Sequence, residues 1–129
     1  MNFYTANPIT LAFMGDAVYE NFIREQLLRN NVVPGGQANL LHKEAVKYVR
    51  AGAQAALIKS LIDDGFLTEA EEALVKRARN HKSATKPKNA DAVEYKWATA
   101  FEALLGYLYL SGQPERLQEI LIKSYPAKF

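Results

Sequence analysis

Two acids stand out in this chain because their surroundings are apolar. In Leu11-Ala12-Phe13-Met14-Gly15-Asp16-Ala17-Val18-Tyr19-Glu20, no Lys or Arg stands within four positions of Asp16. In Ala98-Thr99-Ala100-Phe101-Glu102-Ala103-Leu104-Leu105-Gly106-Tyr107-Leu108-Tyr109-Leu110, Glu102 is the only acid and no base lies within five positions of it. A lone acid on an apolar helix is usually a surface residue or the partner of a Lys or Arg, but neither acid here has such a partner at helical spacing. A carboxylate so placed has to be paired, metal-bound or exposed at an edge. Gly15 and Ala17 beside one acid, and Ala98, Ala103 and Gly106 beside the other, predict two helix backbones that cross closely, so that the acids can meet.

Two such acids can support phosphodiester hydrolysis with Mg²⁺. Hard divalent cations prefer carboxylate oxygens, and Mg²⁺ keeps several waters, so few protein ligands suffice when a substrate phosphate adds oxygens. The ion would activate a bound water and stabilise charge on the phosphate, and no protein nucleophile is required. No Ser or Thr has a convincing His partner, since His42 falls in a predicted helix and His81 in a basic stretch. The chain has no Cys, which removes disulfides, thiolate ligands and cysteine nucleophiles and is compatible with a reducing cytosol.

The positive charge is concentrated in one place. Net charge is only +2, yet Lys76, Arg77, Arg79, Lys82, Lys86 and Lys88, with His81, fall between Ala73 and Ala90 without an acid. Such runs often form a solvated face. Beside a phosphodiesterase site, phosphate binding is the better account. Asn80, Ser83, Thr85 and Asn89 add neutral donors suited to phosphate or 2′-hydroxyl groups, and the lack of interleaved aromatics favours a duplex over a single strand.

The elements that must position these groups are helices. Asn7-Pro8 starts a first helix running to about Arg29, with Ile9, Phe13, Ala17, Phe22, Leu27 and Leu28 as its apolar face. Pro34-Gly35-Gly36 breaks the chain, and a second helix is predicted from about Gln37 to Ile62, offering Leu41, Ala45, Val49, Ala53, Ala56 and Ile58 to the core. Thr68 and Glu71 form a capping box for a third, which carries Ala73, Leu74 and Ala78. A loop over residues 80–89 follows, then a long helix from about Asp91 with Val93, Trp97, Phe101, Leu104 and Leu108, and a last one from Pro114 to near Tyr125. Tyr19, Tyr48, Tyr95, Trp97, Tyr107 and Tyr109 are expected in the core or an interface. No segment alternates like a strand, so the fold class is all-α, a single domain over residues 1–129. The N-terminus does not resemble a secretion signal, and no apolar run approaches the ~20 residues of a membrane span.

Leu11-Ala12-Phe13-Met14-Gly15-Asp16-Ala17-Val18 resembles the signature of the ribonuclease III catalytic domain, and Ala100-Phe101-Glu102-Ala103-Leu104-Leu105-Gly106 resembles that family's second block, in the same order and at a matching separation. The whole chain is similar to the compact bacterial branch, the Mini-ribonuclease III family, whose catalytic domain stands without an attached double-stranded-RNA-binding domain. The resemblance implies a Mg²⁺-dependent endonuclease of double-stranded RNA in the cytoplasm, with trimming of precursor 23S ribosomal RNA as its role. It implies that Asp16 and Glu102 are metal-binding catalytic acids. It also implies a homodimer with Phe13 across the two-fold axis and one site per subunit, each cutting one strand. Two further family acids are replaced, by Ala12 four residues before Asp16 and by Thr99 three before Glu102. Glu20, one turn after Asp16, is expected to pair with Arg24. The alternatives are a module of the same fold that binds structured RNA with little or no activity, and a helical protein-interaction domain.

Overall fold

In the computed structural model, which describes residues 2–82 and 91–125, every regular element is helical and no strand occurs among the described residues. A single 3-10 turn, Phe3–Thr5, precedes α1, Pro8–Arg29. The Asn7 side chain accepts the Ile9 N–H at 2.8 Å and Pro8 is the first helical residue, as expected from a missing donor where none is needed. Asn31 then turns the chain out with φ 49°. Helices α2, Ala38–Val49, and α3, Ala51–Asp63, come next, then α4, Glu69–Asn80, which opens on the Thr68–Glu71 capping box. Asp91 caps α5, Ala92–Leu110, by accepting the Val93 N–H at 2.8 Å, and Pro114 begins α6, Pro114–Ser124. No helix of the described residues is long and apolar enough to cross a membrane.

Two expectations are corrected. The single helix predicted over Gln37 to Ile62 is two, because Arg50 is extended (φ −64°, ψ 150°) and serves as the C-cap of α2 and the N-cap of α3. Neither Gly nor Pro marks residue 50, so the break is set by tertiary packing and not by local propensity. The face expected to bury α1 is also only half right. Phe22 and Leu27 are buried, but Ile9, Ala17, Leu28 and above all Phe13, 82% exposed, face outward. The helix is apolar on two sides, and periodicity could not say which one α5 covers; the buried set is Pro8, Leu11, Ala12, Gly15, Tyr19, Phe22, Ile23 and Leu27. For the same reason Ala56, Ala73 and Val93 lie exposed.

The core is assembled around α5, which packs against α1, α3, α4 and α6. Phe101, Leu104, Leu105 and Leu108 are fully buried there, and Tyr19 of α1 stands edge-on to Phe101 with centroids 5.1 Å apart. Burying each such side chain stabilises by about 1.5–3 kcal/mol. The close approach of α1 and α5 depends on two glycines. A Cβ on Gly15 would overlap the Glu102 backbone carbonyl, and one on Gly106 would overlap the Leu11 carbonyl. At the opposite edge the buried Glu71 carboxylate takes two hydrogen bonds from Arg116 of α6, at 2.7 and 2.9 Å. The N-terminal turn is tied down by Tyr4, whose hydroxyl donates to Ala70 O at 2.9 Å and whose ring meets Tyr107 edge-on.

Candidate active site

Because Gly15 admits the α5 backbone, the side chains that follow it on either helix are brought together. Asp16 leaves α1 on the exposed side of the crossing and Glu102 leaves α5 half-buried. Their carboxyl groups are close enough for Asp16 to act directly on the Glu102 carboxyl. Burial, followed by the contact with Asp16 and its charge, pushes the Glu102 carboxyl up to about 8, against a smaller opposing effect of Gln54. Glu20 adds a weaker like charge, while its carboxylate makes the expected i, i+4 pair with Arg24 at 3.3 Å. Burial pushes the Tyr19 hydroxyl up to about 12, so it is no acid–base group near neutral pH.

The arrangement suits a hard divalent cation. Two like carboxyl groups in contact, one partly withdrawn from water, repel unless a proton or a cation lies between them. Among the described residues no cluster of three or more acids or histidines exists, so an ion here would keep much of its water, which is the habit of Mg²⁺. The positions where related signatures carry further acids, Ala12 and Thr99, are buried at 6% and 8% exposure and offer no carboxylate.

Two residues that the sequence reading missed belong to this seam. Gln54 of α3, 2% exposed, places its Nε2 3.5 Å from Glu102 Oε2. Its signal was available, since it is the one polar side chain in Ala51-Gly52-Ala53-Gln54-Ala55-Ala56-Leu57-Ile58. The other is Lys59, whose ammonium lies 5.5 Å from the Trp97 ring centroid while the Arg79 guanidinium lies 4.8 Å from it. Neither cation pairs with a carboxylate among the described residues, and Trp97 lies five residues from Glu102 on α5, about 7.5 Å along its axis.

The other basic positions divide. Lys76 is exposed and pairs with Glu72 at 3.0 Å, and Asn80 accepts from Arg79 Nε at 3.0 Å. His81 caps the end of α4 and Lys82 is exposed. Arg77 turns away from the others, donating to Tyr4 O and lying over the Tyr4 ring, so its role is to hold the N-terminal turn. Ser83, Lys86 and Lys88, with most of the expected 80–89 loop, lie outside the described residues. A cleft of about 290 Å³ between α1 and α2, lined by Arg24, Leu27, Leu28, Leu41, His42 and Ala45, contains neither acid of the pair. Asp16 is exposed at the crossing, within reach of a polymer laid across the surface.

The description "Ribonuclease III domain" matches residues 9–113, a span that includes both acids and both glycines of the crossing. The chain belongs to the ribonuclease III family. It is 51% identical over 117 residues to Mini-ribonuclease 3 of Symbiobacterium thermophilum, covering 91% of this chain and 86% of that one. It is 48% identical to Mini-ribonuclease 3 of Streptococcus pneumoniae, covering 89% and 88%, and 40% identical to that of Staphylococcus aureus, covering 91% and 85%. A crystal structure of a Fusobacterium nucleatum protein superposes with a TM-score of 0.77 at 35% identity, covering 91% of this chain and 89% of that one. The chain is therefore an endoribonuclease of ribonuclease III type with the all-α fold of that family.

Proposed function

We propose that this ribonuclease cleaves double-stranded RNA with Asp16 and Glu102 as its metal-holding acids. The observation that supports this most is the Gly15 crossing, which brings the two carboxyl groups near enough to push Glu102 upward, with no basic partner for either among the described residues and with Asp16 exposed. Mg²⁺ held there would supply a water of lowered pKa and charge stabilisation at the phosphate. The protein's part is to fix the two carboxylates on rigid helices, to keep Glu102 partly withdrawn from water, and to hold the RNA backbone. Arg79, Lys82, Lys76, Asn80 and His81 serve that last role, with Ser83, Lys86 and Lys88 of the following segment and Lys59 as an addition. Arg77 is left out because its guanidinium is engaged with Tyr4.

Phe13, on the exposed side of α1 with Ile9 and Ala17 one turn either way, supports a homodimer in which each subunit cuts one strand. A large aromatic so open to water, with apolar neighbours, marks an interface better than a free surface. Precursor 23S ribosomal RNA in the cytoplasm is the substrate we assign, on the resemblance of the whole chain to compact family members. The test is incubation of the protein with a long RNA duplex and with a precursor 23S fragment, each with Mg²⁺ and with chelator. Cleavage of the duplex only with Mg²⁺ is expected; cleavage unaffected by chelator would overturn the metal reading, and no cleavage of the precursor would overturn the target.

A further inference from the structure

Gln54 occupies a position whose chemistry the acid pair alone does not explain. Its side chain folds back across the α2–α3 break, and Nε2 donates to Val49 O at 2.8 Å. That carbonyl lies in the last turn of α2, where the helix supplies no partner of its own, and the extended Arg50 is what leaves it within reach of residue 54. Since Val49 O can only accept, the amide's orientation is fixed, and the same nitrogen makes the 3.5 Å approach to Glu102 Oε2. The opposite end of the amide, Oε1, is buried and has no hydrogen-bond partner among the described residues. A buried acceptor left unpaired costs about 1–3 kcal/mol, so a donor is missing beside the carboxylate pair.

The geometry points to Gln54 as a positioning residue for the divalent ion: its amide N–H steadies the Glu102 carboxylate, and its Oε1 accepts a hydrogen bond from a water of the ion's hydration shell. A neutral amide is suited to both tasks, because a carboxylate at 54 would add a third negative charge and a Lys could not accept. The break at Arg50 acquires a function on this account, anchoring the amide at Val49 so that it cannot swing away from Glu102. Outer partners of this kind commonly change metal affinity or activity by about 10–100-fold when removed. The inference rests on the reading of Asp16 and Glu102 as metal-holding acids.

The experiment uses the full chain with Mn²⁺ alone, followed by calorimetry, comparing wild type, Asp16→Asn and Gln54→Met, a change that keeps length while removing both polar atoms. Wild type should bind, Asp16→Asn should lose most binding, and Gln54→Met should bind about 10–100-fold more weakly, with duplex-RNA affinity in chelator unchanged and with single-turnover cleavage depressed at low Mg²⁺. In parallel, the side-chain amide signal of Gln54 in wild type should shift saturably in an NMR titration with Mg²⁺. Wild-type Mn²⁺ affinity in Gln54→Met, or an amide signal that Mg²⁺ does not move, overturns the role of Gln54 and leaves the acid pair standing. No Mn²⁺ binding by wild type, or undiminished binding by Asp16→Asn, overturns the acid pair itself. Should Gln54→Met fail to fold, the wild-type amide titration decides alone.

Discussion

Gly15 and Glu102 approach so closely that no methyl group fits between them: a Cβ at position 15 would overlap the Glu102 carbonyl. The overlap is with backbone, so no side chain can move aside to relieve it. Gly15→Ala is therefore expected to destabilise the protein by about 3 kcal/mol, the upper end for overpacking, and to lower cleavage further because the acids separate with the helices. Chemical denaturation and duplex cleavage on one preparation check this. A loss within about 0.5 kcal/mol, the range of ordinary surface changes, would show that the helices part freely there.

Glu102→Gln and Asp16→Asn keep shape and remove an anionic oxygen each, so both are expected to abolish cleavage while leaving duplex affinity near wild type. In chelator, Glu102→Gln should also raise the thermal midpoint, most of all above about pH 8, where wild type has to bury a second carboxylate beside Asp16 and the amide stays neutral. Unchanged turnover in either variant would remove that residue from the site.

The helix crossing and the acid pair were legible in the sequence because small residues and unpaired acids are local signals that survive without knowing the topology. Asn7-Pro8 and Thr68-Glu71 announced their helix starts for the same reason, as caps act within one turn. What escaped depends on residues distant in the chain. Arg50 breaks α2 from α3 with no local breaker, Ile9, Ala17 and Leu28 lie on the side of α1 that α5 leaves open, and Arg77 is drawn from the basic run by Tyr4, 73 positions away. Gln54 fits the logic used for the acids, but an uncharged amide among alanines attracts less notice than a carboxylate.

Affinity for duplex RNA is expected to fall steeply with salt, since each phosphate contact releases condensed counterions. Replacing Arg79, Lys82, Lys86 and Lys88 together by Ala should weaken binding across sequences and flatten the salt dependence by up to about one unit of log–log slope per contact. Lys59→Ala should do the same on a smaller scale, whereas Lys47→Ala, which removes a lysine paired with Glu44 on α2, should not. Parallel salt plots of equal affinity would move the RNA surface elsewhere.

Phe13→Ala tests assembly. Truncating a large aromatic in an interface commonly costs more than about 2 kcal/mol of association, so sedimentation should show a shift from dimer toward monomer. An unchanged mass distribution would leave Phe13 as an ordinary surface residue.

Glu71 sets an acid limit on stability. Burial draws its carboxyl upward, but hydrogen bonds from Arg116 and from the Thr68 N–H outweigh it and hold the group below the usual carboxylate range. A depressed value means stability that is present above the unfolded value, about 4.3, and lost as pH falls through the folded one. Glu71→Gln should cost about 3 kcal/mol near neutrality by stranding Arg116, and the gap to wild type should narrow as pH drops below about 4. A gap constant from pH 7 to pH 3 would contradict this account of the pair.

The dominance of α5 in the core has a consequence for biosynthesis. Asp16 is made early and Glu102 late, and α1 lacks its main covering partner until the residues of α5 are in place. Contacts between such distant segments form only after a large loop has closed. On the ribosome the growing chain thus carries only one of the two proposed metal-holding acids until nearly the last helix has emerged, so no cleavage of the RNA around it is expected during its own translation.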